Sequence, residues 1–109
     1  MLSRNVLFFL LCSCSFVMNA SAADRRVRVV NKSSNSIVGL FASNVTKNRW
    51  TYNMMVGHRP VEPDDYIIAD MDDGTGFCQY DVKAIMDDGR EAVHYNMNVC
   101  RMEEWDVLD

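Results

Sequence analysis

Turn-forming clusters recur at short intervals along this chain and leave only short β-rich runs between them. The clusters are Asn31 to Asn35, Ser43-Asn44, Gly57 to Pro60, Pro63 to Asp65, Asp72 to Gly76 and Asp87 to Gly89. Between them lie Val27–Val30, Ser36–Ala42, Trp50–Val56, Tyr66–Met71, Phe77–Met86 and Ala92–Val99, which read as strands. No window holds a sustained helical period. Short strands at this spacing point to an all-β fold, a small antiparallel sandwich of immunoglobulin-like or related type with about six to eight strands.

The first 23 residues bear on the compartment. Arg4 gives a positive start, Val6 to Leu11 opens an apolar stretch that runs on through Val17 and Met18, and Ala20-Ser21-Ala22 closes it. That order is the pattern of a secretory signal peptide, residues 1–23, and it is too short for a spanning helix. Residues 24–109 then form a single domain, which folds outside the cytoplasm in the periplasm or after secretion. A second reading of the leader stays open. Leu11-Cys12-Ser13-Cys14 loosely resembles a lipobox, and a lipid on Cys14 would be the one route to a membrane.

A domain this small buries only roughly 60% of its unfolded surface and gains from a covalent staple. Cys12 and Cys14 belong to the leader, so Cys78 and Cys100 are the pair that remains. In an oxidising compartment they read as one disulfide.

The best local signal is a hairpin. Cys78, Tyr80, Val82, Ala84 and Met86 alternate with polar residues, Val93, Tyr95, Met97 and Val99 return the pattern, and Asp88-Gly89 suits a two-residue turn. That turn pairs Ala84 with Val93, Val82 with Tyr95 and Tyr80 with Met97. It also places His94 opposite Lys83, and it leaves Cys100 facing away from Cys78. A β-bulge near Asn98 would bring Cys100 round.

Several stretches of the chain resemble a group of small proteins. Val29-Val30-Asn31-Lys32-Ser33-Ser34-Asn35-Ser36-Ile37 leads into Leu40-Phe41-Ala42-Ser43, and Trp50 precedes Met54-Met55. Cys78-Gln79-Tyr80-Asp81-Val82-Lys83, Asp88-Gly89 and Asn98-Val99-Cys100 follow. Together these resemble small signal-bearing proteobacterial β-sandwich proteins of unknown function. The resemblance implies fold and export and carries over no catalytic residue. It departs at Pro63-Asp64-Asp65, where such sequences often have Pro-Gly.

Charge is unevenly placed. The chain has 11 Lys and Arg against 15 Asp and Glu, a net charge of −4, and losing Arg4 makes it one unit more acidic. From Asp24 to Val61 seven cations meet one carboxylate, whereas from Glu62 onward fourteen carboxylates meet three cations. Interleaved strands would let the two halves face each other; a bipolar surface is the alternative. An acidic chain is poorly suited to a phosphate backbone, so nucleic acid is not an expected partner.

Candidate chemistry is sparse. Asp70, Asp72, Asp73 and Asp81 are oxygen donors of the type calcium prefers, although the spacing is not an EF-hand and turn formation explains the same residues. Met54, Met55 and His58 unite thioether and imidazole, the ligand types for copper(I), yet methionine is also a core filler. Asp81 and His94 are the only acid–base pairing in view, and no motif adds a nucleophile to them. The expectation is therefore a non-catalytic protein with no cofactor. Trp50, His94 and Trp105 are the candidate binding residues, the tryptophans as a platform for an envelope protein or glycan, or else packed over the ends of the sandwich. Asn31-Lys32-Ser33 and Asn44-Val45-Thr46 match the glycosylation sequon and equally read as turns.

Overall fold

A computed structural model describes residues 24–109. Residues 1–23, with the signal-peptide and Cys14 readings, lie outside the described residues. Six strands form: β1 (Arg26–Asn31), β2 (Ile37–Asn44), β3 (Tyr66–Asp70), β4 (Gln79–Met86), β5 (Glu91–Asn98) and β6 (Glu104–Val107). They make two three-stranded sheets, ordered β3-β1-β6 and β2-β4-β5. The all-β sandwich expected from the sequence is what the chain forms.

Strand alternation builds the core. In β1 Val27 and Val29 point inward, between exposed Arg26 and Arg28; in β4 Tyr80, Val82, Ala84 and Met86 do the same. These pack with Leu40 and Ala42 of β2, Ala69 of β3, Met97 of β5, and Trp105 and Val107 of β6 into one cluster that joins both sheets. Each fully buried aliphatic side chain contributes about 1.5–3 kcal/mol. In β2 an extra residue, Val38, interrupts the ladder between Ile37 and Gly39, so Ile37 and Leu40 both reach the core despite their spacing.

Two features differ from the sequence reading at the level of strands. β6 is new, and it pairs with β1 in parallel, Val29 opposite Trp105. The run Trp50–Val56 is not a strand. It lies along the free edge of β2, where Thr51 and Met54 donate backbone N–H groups to the carbonyls of Ala42 and Leu40, both at 2.8 Å. In return the amides of Ala42 and Leu40 donate to Thr51 Oγ1 (3.1 Å) and Asn53 Oδ1 (3.0 Å). Side-chain oxygens thus do the accepting that a strand's carbonyls would do, and the edge is closed without a ladder.

The hairpin between β4 and β5 also differs. Its loop has three residues, Asp87 to Gly89, with Gly89 at φ 89° and Met86 N–H donating to Arg90 O at 2.8 Å. This is the three-residue connection that needs glycine in the left-handed region. Ala84 therefore faces Ala92 and Val82 faces His94, while Tyr80 faces Met97 as expected. The register changes between those last two pairs, where Tyr95 and Asn96 together oppose Asp81; Asn96 has φ 54°. The bulge is real but sits at Tyr95-Asn96 rather than near Asn98. Beyond Asn98 the chain turns, Met102 N–H donating to Asn98 O at 2.8 Å, and Cys100 meets Cys78 with Cα atoms 5.3 Å apart. The disulfide is present, which is compatible with an oxidising compartment.

At Pro63-Asp64-Asp65, Asp64 takes φ 71° and Asp65 N–H closes the turn on Glu62 O at 3.0 Å. That is the position where a glycine would sit without strain.

Candidate functional site

The outward face of β2-β4-β5 is where unusual side chains gather. Phe41 on β2 and Lys83 on β4 are register partners, and each alternates with core residues, so both point away from the core. The edge-covering segment carries Trp50 to the same place. The Lys83 ammonium lies 4.5 Å from the centroid of the Trp50 ring and 5.4 Å from that of Phe41. Such contacts contribute about 0.5–1 kcal/mol each at exposed sites. Trp50 remains 36% exposed and Tyr52, two residues on, 77% exposed.

Lys47, Arg49 and Trp50 line a shallow concavity of about 280 Å³ with Ser43, Asn44 and Thr51. Asp73 is the one carboxylate lining it. Among the described residues the ion pairs join Arg26 to Asp24, Arg28 to Glu104, and Arg90 to both Asp88 and Asp109. None of them involves Lys47, Arg49 or Lys83. Interleaving accounts for the charges of the first sheet, where Arg26 faces Asp70 and Arg28 faces Glu104 across strands. It does not account for the cations around Trp50.

The other binding candidates divide. Trp105 is no exposed platform: it is 8% exposed and belongs to the core. His94, opposite Val82 rather than Lys83, lies half-buried on the inner side and meets the edge of the Trp105 ring, centroids 6.0 Å apart. The three-residue loop explains this, since one extra residue there moves Val93, His94 and Tyr95 to the opposite face until the bulge restores the register. Tyr95, expected inward, is 71% exposed for the same reason. Asp81 points outward and accepts the Asn96 N–H at 2.8 Å. Asp81 and His94 are therefore on opposite faces, and the acid–base pairing is not assembled.

The aspartates do not converge either. Asp70 and Asp72 each accept the N–H two residues on, from Asp72 (3.0 Å) and Gly74 (2.9 Å), as turn caps. Asp73 Oδ1 accepts from the Thr75 hydroxyl (2.5 Å), the Thr75 N–H (3.1 Å) and the buried Tyr80 hydroxyl (2.7 Å). Among the described residues no three His, Cys, Asp or Glu side chains are grouped to hold a metal ion. Met55 is buried in the core while His58 is exposed, so thioether and imidazole are separated. Both sequon asparagines are buried, their amides donating to Val61 O and Asn35 O from Asn31 and to Thr75 Oγ1 from Asn44.

Partial burial pushes the Asp73 carboxyl up, but the hydrogen bonds from Thr75, Tyr80 and Asn44 outweigh it and bring it from 3.8 down to about 2. Burial raises the Tyr80 phenol, and its bond to Asp73 raises it further. A carboxyl lowered on folding adds stability that is fully present above its unfolded pKa and is lost as pH falls through the folded one. The expected result is a loss of stability between about pH 4 and pH 2 that flattens in Asp73→Asn. Urea midpoints across that range check it, and an equally steep fall in the variant refutes it.

Sequence reasoning singled out Trp50 and missed its companions. Lys47-Asn48-Arg49-Trp50 is a visible signal, a basic pair beside an aromatic. Phe41 and Lys83 were legible only once the β2–β4 register was known.

No protein-family model matches the chain, and no curated protein matches it. Among solved structures it is similar to the NMR structure of a protein from Eubacterium rectale, with 13% identity over 84% of this chain and 80% of that one, at a TM-score of 0.49.

Proposed function

We propose that this chain is an exported, non-catalytic binding module of a bacterial envelope, periplasmic or secreted, that works through the Phe41–Trp50–Lys83 face. The leader pattern, the disulfide and the resemblance to exported proteobacterial proteins support the compartment. The observation that carries the binding role is Lys83 held over Trp50 and Phe41 with no carboxylate partner among the described residues. Tryptophan is among the residue types most enriched at interface anchors, and the ammonium over the face of this indole holds it in place. The partner is an envelope protein or glycan, and neither nucleic acid nor a cofactor enters the reading.

Envelope extract passed over immobilised wild-type and Trp50→Ala proteins, at several salt concentrations, tests it. The expected result is a component retained by the wild type and lost from the variant, with both proteins melting alike. Nothing retained above background, or equal retention by both, overturns it.

A further inference from the structure

We infer that the Trp50 face takes an anionic polysaccharide, a sugar chain bearing carboxylate groups, with Lys47, Arg49 and Lys83 meeting its charges and the exposed aromatics meeting its rings. The inference rests on the binding role proposed above and names the ligand class for that same face.

Three cations with no carboxylate partner among the described residues surround one indole in a chain of net charge −4. Arg26, Arg28 and Arg90, by contrast, each have a carboxylate within ion-pair distance. Lys47, Arg49 and Lys83 gathered at one ring make this patch locally positive, which would draw a negatively charged chain by complementarity. Asp73, the carboxylate that lines the concavity, has one oxygen committed to Thr75 and Tyr80.

The surroundings favour a glycan over an acidic peptide. A peptide's usual approach to a sandwich is to add a strand to a free sheet edge. Beside this face that edge is closed by Thr51 and Met54, whose N–H groups already occupy the carbonyls of Ala42 and Leu40. The concavity of about 280 Å³ is shallow, with Ser43, Asn44 and Thr51 beside Ala42 and Trp50 in its lining. The exposed rings of Trp50 and Tyr52 suit sugar rings, which present C–H faces. Lys83 covers part of the indole and at the same time brings a positive charge to the ring plane, so stacking and charge are read at one point.

Polygalacturonate, a uronic acid polymer, is the probe, with neutral dextran and poly-glutamate as comparison ligands and residues 24–109 measured by titration calorimetry. Wild-type protein is expected to bind polygalacturonate, to lose affinity as salt shortens the Debye length from about 20 Å to about 8 Å, and to ignore dextran. Lys47→Glu/Arg49→Glu and Trp50→Ala are each expected to weaken binding about tenfold or more. Lys32→Glu/Arg101→Glu, which changes the same charge at exposed positions elsewhere, is expected to leave it unchanged, and thermal melts confirm that all variants fold. Dextran sulfate binding as tightly as polygalacturonate would put charge density in place of carboxylate recognition and overturn the assignment. Poly-glutamate binding more tightly would assign an acidic peptide instead. If polygalacturonate is ignored while the Trp50-dependent capture from envelope extract persists, the ligand class falls and the binding role stands; if both vanish, both fall.

Discussion

Replacing Asn31 with aspartate should destabilise this domain by about 3 kcal/mol or more, although the two side chains are nearly the same size. Asn31 is fully buried at the end of β1 and uses every hydrogen-bonding site of its amide. Nδ2 donates to Asn35 O (2.7 Å) and Val61 O (2.8 Å), and Oδ1 accepts from the Ser33 N–H (2.9 Å) and hydroxyl (2.6 Å). Its backbone is engaged as well, N–H to Asp65 O and carbonyl from Asp64 N–H. One residue thus ties β1 to the turn into β2, and to Val61, which bridges Ile37 at the start of β2. An ionised aspartate keeps the two acceptor contacts and loses both donors, so Val61 O and Asn35 O keep only their second donors, the Ile37 N–H and the Ser33 hydroxyl, and face a negative oxygen. Each lost bond costs about 0.5–1.5 kcal/mol, and the buried charge beside two carbonyl oxygens adds to it. The deficit should shrink at low pH, because a carboxyl raised by these neighbours regains a proton on the folded side first. Urea unfolding at pH 7 and pH 4 reads both effects. A variant with the wild-type midpoint at pH 7 would show that the amide is not the clamp the geometry describes. Ser33→Ala, which removes one hydroxyl from the same site, should cost about 1 kcal/mol.

How far the amino-acid order foretold this arrangement depends on whether each feature is local. Val27/Val29 and Tyr80/Val82/Ala84/Met86 alternate, and period two survives into the fold because one face of each strand is buried. The disulfide was legible because Cys78 and Cys100 are the only cysteines after residue 23. Trp50–Val56 has the composition of a strand, but Thr51 and Asn53 offer the β2 edge side-chain oxygens, and nothing in a hydrophobic pattern reports which oxygen will accept. β6 escaped notice because Glu-Trp-Asp-Val is short, half charged, and paired with a strand from the other end of the chain. The β4–β5 register failed by one residue at the loop and was restored by one at the bulge. That is why Tyr80 and Met97 pair as expected while Val93, His94 and Tyr95 all change face. His94 accordingly moved from candidate site to packing against Trp105. Of the binding candidates Trp50 stays partly exposed, but its setting depends on Phe41 and Lys83, which only the register of distant strands brings to it.

Exchanging both Cys78 and Cys100 for alanine should lower stability by about 3 kcal/mol, the chain-entropy value for a loop of this length. The two cysteines are 22 positions apart and enclose nearly all of the β4–β5 hairpin. Neither is fully buried, so alanine leaves little cavity behind and the effect acts chiefly through the unfolded chain. In a domain of this size each kcal/mol moves Tm by roughly 4–8 °C, so the melt should fall by roughly 12 °C or more. Reductant acting on the wild type should give the same fall. The dependence on urea concentration separates this from lost packing: freeing the loop lets the denatured state expand, so the m-value should rise together with the drop in midpoint. The bulge sharpens the expectation. Tyr95-Asn96 already interrupts the ladder between β4 and β5, which leaves the pairs Tyr80–Met97 and Gln79–Asn98, the bond from Val99 N–H to Cys78 O and the disulfide to hold the far end of the hairpin. Hydrogen exchange should therefore show Met97, Val99 and the turn at Asn98 to Met102 losing protection first in the double variant, while the amides of Lys83 to Ile85, on the loop side of the bulge, stay slow. A uniform loss along the hairpin, or a midpoint unchanged by reduction, would mean that core packing alone holds the far end of the hairpin.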